Sequence, residues 1–174
     1  MQTQVLELQT QAWPDFRSRG LGPKHDPALR PISMLLVDDG RVLAALDILS
    51  KQIVHGGETY GASGLSTVVT DKGDRRKGYG KRLVEAARGT MRAAGADLAI
   101  FTCDTPLAPF YEAAGFGILE GTVLIGGTPG NPFPSDRFDK MTVACFFTAM
   151  AKRHAADFVG ARIELYPGEV DRLW

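Results

Sequence analysis

The stretch DRRKGYGKRL, residues 74–83, combines five basic side chains with two glycines. It follows a predicted strand and opens a predicted helix, whose first backbone N–H groups have no partner inside the helix and form the positive end of its dipole. Gly78 and Gly80 lack the side chains that would keep a phosphate away from those amides. The spacing Arg75-x-x-Gly78-x-Gly80 therefore predicts a site for a phosphorylated ligand, with the basic residues adding long-range attraction.

Two more familiar phosphate motifs do not fit this stretch. A P-loop requires GxxxxGK[ST]; Gly73 and Gly78 have that spacing, but Tyr79 and Gly80 stand where lysine and serine or threonine are needed. A dinucleotide-binding fingerprint requires GxGxxG, and Leu83 takes the place of its third glycine. A P-loop nucleotide hydrolase is therefore excluded.

The composition is that of an ordinary globular domain. The 174 residues carry 20 basic and 20 acidic side chains, and 44% are hydrophobic, so we expect one domain over residues 1–174 and no nucleic-acid partner held by bulk charge. No run approaches the roughly 18 apolar residues of a membrane span, and the first residues lack a signal-peptide pattern. Cys103 and Cys145 lie apart in apolar runs, as reduced core thiols do, which favours a cytoplasmic protein.

The residues before the motif predict a helix, a loop and an antiparallel meander. Apolar residues at helical spacing predict a helix over 3–19, and glycines and prolines predict a loop over 20–31. Asp39–Gly40 and Gly56–Gly57 are typical of tight hairpin turns. They separate three predicted strands, which are residues 32–39, 41–54 and 58–70.

After Thr70 the pattern predicts a strand–helix–strand–helix unit with two parallel strands. A helix over 79–94 stops at Gly95, a short apolar strand covers 98–103, and a helix over 106–114 stops at Gly115. The remaining predicted elements are strands at 117–125, 141–147 and 161–166, a Gly/Pro loop at 126–136 and a helix at 149–158. The predicted class is α+β, with a mixed sheet that is antiparallel in its N-terminal part, has a parallel central pair and is flanked by helices.

Two segments resemble those of the GCN5-related N-acetyltransferase (GNAT) superfamily. STVVTDKGDRRKGYGKRLVEAA (66–87) resembles the acetyl-CoA-binding segment, in which a strand leads into [QR]-x-x-G-x-[GA] at a helix start. FTCDTPLAPFYEAAGFGIL (101–119) resembles the second segment, a strand followed by a short helix with Phe–Tyr and then Ala–Gly–Phe. The segments occur in the family's order, about 30 residues apart. Lys72 departs from the pattern, since many members have proline there.

The resemblance implies a GNAT fold and acetyl-CoA as co-substrate, and we expect no metal. The loop amides would grip the pyrophosphate of coenzyme A. The pantetheine arm would pair with strand 65–70 and pass between that strand and strand 98–103, which splay apart in the family. The residues that this assigns to acetyl-CoA are Val68, Val69, Thr70, Arg75, Arg76, Lys77, Gly78, Tyr79, Gly80 and Lys81.

The resemblance also implies the chemistry, which is transfer of an acetyl group to a primary amine. A backbone N–H at Val68 or Val69 would polarise the thioester carbonyl, and we take Val69 as catalytic. Tyr111 matches the family tyrosine near the sulfur, and its phenol would protonate the leaving thiolate. The alternative is that Tyr111 is a core aromatic residue beside Phe110 and Phe116.

The sequence does not identify the residue that acts as general base. Many family members carry a glutamate in the strand that matches residues 62–69, and this chain has none there. Asp104, Asp47 and Glu58 are the candidates; Asp104 lies nearest the expected sulfur position, although it could instead cap the helix at Pro106. A chain of water molecules would need no base. The three histidines show no spacing typical of a metal site.

The end of the chain, IELYPGEVDRLW, resembles that of the aminoglycoside 2′-N-acetyltransferase branch, where acidic groups line the acceptor site. This assigns Glu169, Asp171 and the terminal carboxylate of Trp174 to acceptor binding, unless the tail only packs over the sheet. A metabolic amine, an amino sugar, a peptide N-terminus or a lysine are alternative acceptors. We expect a small-molecule amine as partner, no nucleic acid and no membrane, with a homodimer possible. The alternative from another class is a coenzyme-A-binding module without catalysis.

Overall fold

The computed structural model describes residues 1–14 and 24–174. Its helices are α1 Gln2–Ala12, α2 Tyr79–Ala93, α3 Ala108–Ala113 and α4 Ala149–Arg153. Its strands are β1 Ile32–Asp38, β2 Arg41–His55, β3 Glu58–Thr70, β4 Leu98–Asp104, β5 Gly117–Ile118, β6 Val123–Thr128, β7 Asn131–Pro134, β8 Lys140–Phe146 and β9 Arg162–Glu164. Short 3₁₀ turns connect several of them.

The central sheet has the strand order β1-β2-β3-β4-β8-β5. Its first three strands form the predicted antiparallel meander, because Asp39–Gly40 and Gly56–Gly57 adopt the positive φ angles that two-residue hairpin turns require. β3 and β4 are parallel, as the strand–helix–strand pattern predicts, and β8 joins β4 antiparallel. The predicted α+β class with a mixed sheet is confirmed.

The two faces of the meander are covered by different helices. Side chains alternate along β2, so Ala44 faces the main core while Ala45 packs with Leu8 of α1. The main core holds the buried stripe of α2, which includes Leu83, Val84 and Met91. The helix α1 therefore lies on the opposite side of the sheet from α2.

Several boundaries differ from the sequence prediction. The first helix ends at Ala12, before Pro14, and the predicted residues 15–19 lie outside the described part of the chain. The predicted strand 117–125 is two strands, β5 and β6, because the chain turns at Gly121 (φ 68°) and enters a second sheet. The predicted loop 126–136 contains β7, which pairs with β6, and β9 completes this second sheet in the order β7-β6-β9.

The predicted later helices are also shorter. Residues 105–107 form a 3₁₀ turn before α3, and residues 155–158 form another after α4. Within the ranges 1–14 and 24–174, no helix combines the length and apolar character needed to cross a membrane.

Candidate active site

The loop before α2 forms an open cradle of backbone amides. Gly78 caps the helix with φ 83°, a left-handed conformation that glycine adopts at no steric cost. Arg76, two residues earlier, has φ 66°. The first helical hydrogen bond runs from the amide of Arg82 to the carbonyl of Gly78 (3.0 Å), so the three intervening amides have no partner within the helix. This arrangement suits an anionic ligand.

Gly80 joins the cradle to the two neighbouring elements. A Cβ atom built on Gly80 would lie 2.7 Å from the hydroxyl oxygen of Thr70 at the end of β3 and 3.5 Å from the Phe110 ring of α3. No side chain fits there without displacing a neighbour. The two family-like segments therefore meet at this glycine, although about 30 residues separate them in sequence.

The charges of the cradle are partly neutralised by Asp74. Its carboxylate binds Lys77 at 2.7 Å and Arg41, and the hydrogen bond from Lys77 does most to lower its pKa, while burial opposes the shift. The charge of Lys77 is thus partly offset by Asp74, whereas Arg75 and Arg76 are exposed beside the amides.

An opening begins where β3 and β4 part. The two strands pair only at Ala62 with Leu98 and at Ser63 with Ala99, and they diverge beyond these pairs. The opening lies on the side of the cradle, because β3 ends at Thr70. The predicted splay of the central parallel pair is therefore present.

A β-bulge shapes the β3 side of this opening. Thr67 and Val68 together face Leu46 of β2, and Thr67 has φ 50°, which is strained for a β-branched residue. The amide of Asp71 donates to β2 (2.9 Å), and the alternation of an antiparallel ladder then turns the amide of Val69 toward β2 as well. The amide of Val68 consequently points toward the opening, so the register favours Val68 over Val69 as the donor to a ligand.

Tyr111 lies beside the opening in an aromatic cluster. Its ring contacts those of Phe110 (centroids 4.9 Å apart) and Phe101 (5.1 Å), both edge-on, and only 6% of the residue is exposed. Burial raises the pKa of the phenol well above its usual value of 10, and Cys103 and Asp104 at the end of β4 add to the shift. The hydroxyl therefore keeps its proton at every physiological pH.

Neither of the aspartates expected as bases is a free carboxylate. Asp104 is exposed and binds Lys140 at 2.6 Å, and its side chain does not cap the helix that follows. Asp47 is buried; burial would raise its pKa, but hydrogen bonds from its neighbours outweigh this and lower the pKa far below the ordinary value. Glu58 lies at the β2–β3 hairpin, across from His55.

The neighbours of Asp47 form a buried ion cluster that sequence reasoning missed. Its carboxylate accepts hydrogen bonds from His25, Lys24, Ser33 and Thr67. His25 also binds Asp171 through Nδ1 (2.6 Å). His25, expected as an ordinary loop residue, is thus buried between two carboxylates.

The electrostatics of this cluster are dominated by the two carboxylates. Burial alone would lower the pKa of His25, but the hydrogen bonds and charges of Asp171 and Asp47 raise it to about 9. The imidazole is therefore a cation at neutral pH. Because His25 and Lys24 offset the two aspartates, the cluster carries little net charge.

The three residues predicted to bind the acceptor have different surroundings. Glu169 is exposed and accepts from Asn131 (3.2 Å). Asp171 is held by His25 and by the backbone amide of Asp26 (2.9 Å), so its carboxylate has little remaining capacity for a cation. Trp174 is 2% exposed, and its main-chain oxygen accepts from the amide (2.9 Å) and hydroxyl (3.1 Å) of Thr102 on β4.

A separate surface groove is unrelated to these features. It is lined by side chains of α2, β8 and α4 and measures about 270 Å³. The groove borders the C-terminal half of α2, away from the cradle at the start of the helix. The amides, the strand opening and Tyr111 are therefore the better candidates for the catalytic site.

Three features occur together here: an amide cradle at a helix start, a buried aromatic hydroxyl and a splayed pair of parallel strands. They define the class of acyl-CoA-dependent transferases. The family model described as an acetyltransferase (GNAT) domain matches residues 2–119, and the chain belongs to this family. It is therefore an N-acetyltransferase domain, as the two segments predict. A search among curated protein sequences finds no significant match.

Solved structures share the fold at low identity. An aminoglycoside 6′-N-acetyltransferase complexed with coenzyme A matches with a TM-score of 0.54 and 16% identity, over 84% of this chain and 90% of that one. Escherichia coli ElaA gives 0.55 and 14%, over 82% and 88%. An acyl-CoA N-acyltransferase from Pseudomonas aeruginosa gives 0.52 and 18%, over 82% and 87%. The 2′-specific branch stays a prediction.

Proposed function

We propose that this chain transfers an acetyl group from acetyl-CoA to a primary amine of a small acceptor by direct attack. The observation that carries the proposal is the convergence at Gly80 of the strand end, the amide cradle and the α3 segment with Tyr111. Because Gly80 has no side chain, Thr70 and Phe110 can pack directly against the start of the helix, which holds these three parts of the site together.

In this proposal the cradle amides bind the pyrophosphate, and Arg75 and Arg76 add attraction. The pantetheine arm enters the opening between β3 and β4. The amide of Val68, rather than that of Val69, donates to the thioester oxygen and stabilises the negative charge that develops on it, as an oxyanion hole does.

Tyr111 serves as the hydrogen-bond donor to the departing sulfur. With ordinary pKa values of about 10 for a phenol and 8.5 for a thiol, complete proton transfer to the free thiolate is uphill by about 2 kcal/mol, and burial of Tyr111 adds to that cost. The phenol therefore stabilises the developing thiolate by donating a hydrogen bond and keeps its own proton, and the proton that the amine loses balances the one that the thiolate takes up.

No carboxylate is assigned as the base. The ion pair with Lys140 argues against Asp104, and the low pKa of Asp47 makes it a weak proton acceptor. We propose that water carries the proton away from the attacking amine. Glu169, Asp171 and Trp174 remain predicted acceptor contacts, with Asp171 weakened in this role by its pairing with His25.

The test is a screen for thiol release from acetyl-CoA with aminoglycosides, polyamines, amino sugars and lysine peptides. Release with at least one class of amine is expected. Binding of coenzyme A without release across the whole panel would overturn the proposal and favour a non-catalytic binding module.

Tyr111→Phe tests the donor. Because the ring and its packing are kept, we expect turnover to fall at least about tenfold while coenzyme A affinity and melting temperature stay near wild type. Tyr60→Phe is the matched control, since Tyr60 is buried against Phe158 away from the opening. Equal turnover in the two variants would remove Tyr111 from the mechanism.

A further inference from the structure

The indole of Trp174 lies where β3 and β4 part. The last paired residues are Ser63 and Ala99, and the next residue of β3 is Gly64. A Cβ atom built on Gly64 would lie 2.7 Å from both Cδ1 and Nε1 of the indole and 2.8 Å from the carbonyl oxygen of Ile100 on β4. The ring therefore rests on a strand whose glycine leaves room for it, at the closed end of the opening.

The tail holds this ring firmly in place. The main-chain oxygen of Trp174 takes the place of β3 as the partner of the Thr102 amide on β4. Two residues earlier, the carbonyl of Arg172 accepts from the amide of Gly127 at 2.7 Å, and Asp171 binds His25. The tail is thus held at three places, and its last side chain, the indole, is buried with 2% exposure.

The indole also has an unused donor. Its Nε1 is one of three buried side-chain nitrogens in the described part of the chain that have no hydrogen-bond partner. A buried donor without a hydrogen-bond partner lowers the stability of the folded state, and such donors are rare in native structures. A nitrogen of this kind, next to Gly64 at the closed end of the opening, points to a ligand with an acceptor oxygen.

We infer that the Trp174 indole is the end wall of the acyl pocket, which limits the transferred group to a short acyl chain, and that its N–H donates to a carbonyl oxygen of the acyl-pantetheine arm. The inference rests on the proposed function, since it requires acyl-CoA to enter between β3 and β4. It assigns a specificity role to the side chain of Trp174 within the binding site for the acyl donor.

The experiment measures dissociation constants of acetyl-, butyryl- and hexanoyl-CoA for the full chain by calorimetry. Wild type should prefer acetyl- over hexanoyl-CoA by about tenfold or more. Trp174→Leu, which shortens the wall but stays apolar, and Trp174→Ala should bring this ratio close to one. Trp174→Phe keeps a ring but removes the N–H, so the preference should persist while every ester binds about fivefold more weakly.

Val170→Ala is the matched control, because Val170 lies on the same tail but is 53% exposed and should leave every constant unchanged. Circular dichroism melting identifies any variant that does not fold, and Trp174→Leu and Trp174→Phe keep the test valid if Trp174→Ala fails. An unchanged acyl preference in folded Trp174→Leu, or a wild type that binds hexanoyl-CoA as well as acetyl-CoA, would overturn the inference. Failure of wild type to bind any ester would instead refute the proposed function on which it rests.

Discussion

The ion cluster around His25 makes a specific prediction about stability and pH. His25 lies between Asp47 (3.1 Å from Nε2) and Asp171 (2.6 Å from Nδ1), and these contacts join the segment that begins at Lys24 to β2 and to the tail. We consider the exchange His25→Gln, which keeps a side chain of similar length that can donate a hydrogen bond but removes the charge.

The magnitude follows from the two pKa values. The pKa of His25 is 6.5 in an unstructured chain and about 9 in the folded one. The folded state thus binds the proton more tightly, and this stabilisation is complete below pH 6.5 and is lost as the pH rises through 9. The difference between the two pKa values corresponds to about 3 kcal/mol of unfolding free energy. The steepest loss of this free energy is about 1.4 kcal/mol per pH unit.

The assay is urea unfolding of wild type and His25→Gln at several values between pH 6 and 9.5. Wild type should lose about 3 kcal/mol of unfolding free energy over this range, and the variant, although less stable at pH 6, should show a nearly flat profile. The difference between the two profiles removes the contribution of all other titrating groups. Parallel profiles for the two proteins would refute the argument that a charged His25 holds the cluster together.

Three glycine-to-alanine exchanges should give three different results. Gly80→Ala places a Cβ 2.7 Å from the hydroxyl of Thr70, which can rotate, so we expect near-normal stability. Coenzyme A binding, measured by calorimetry, should be about tenfold weaker, and unaltered affinity would argue against the cradle. Gly126→Ala places a Cβ 1.8 Å from a backbone carbonyl of the tail, so chemical unfolding should show a loss of at least about 2 kcal/mol, and a smaller loss would mean that the tail can shift. Gly89→Ala lies on the exposed face of α2, and its Cβ meets nothing within 4 Å. It should raise the unfolding free energy by about 0.5–1 kcal/mol and leave coenzyme A affinity unchanged. A lower unfolding free energy would contradict the open environment of that position.

Local signals in the sequence determined the elements that carry the cofactor site. The helix from residue 79, its glycine stop and the apolar strand at 98–103 appear as predicted, because hydrophobic period and glycine positions act within a few residues. The predicted single strand over 117–125 was wrong, since Gly121 diverts the chain into a second sheet that no local pattern reveals.

Only the tertiary structure decided the partners of charged and polar groups. His25 and Asp171 are 146 residues apart, and a histidine in a loop carries no local sign that two buried carboxylates will surround it. In the same way, the β3 bulge turns the amide of Val68 toward the opening, and the tail brings Trp174 to Gly64. Contacts between distant segments depend on how strands pair and where the chain returns, so the sequence determined the cradle, whereas the fold determined what closes the opening beside it.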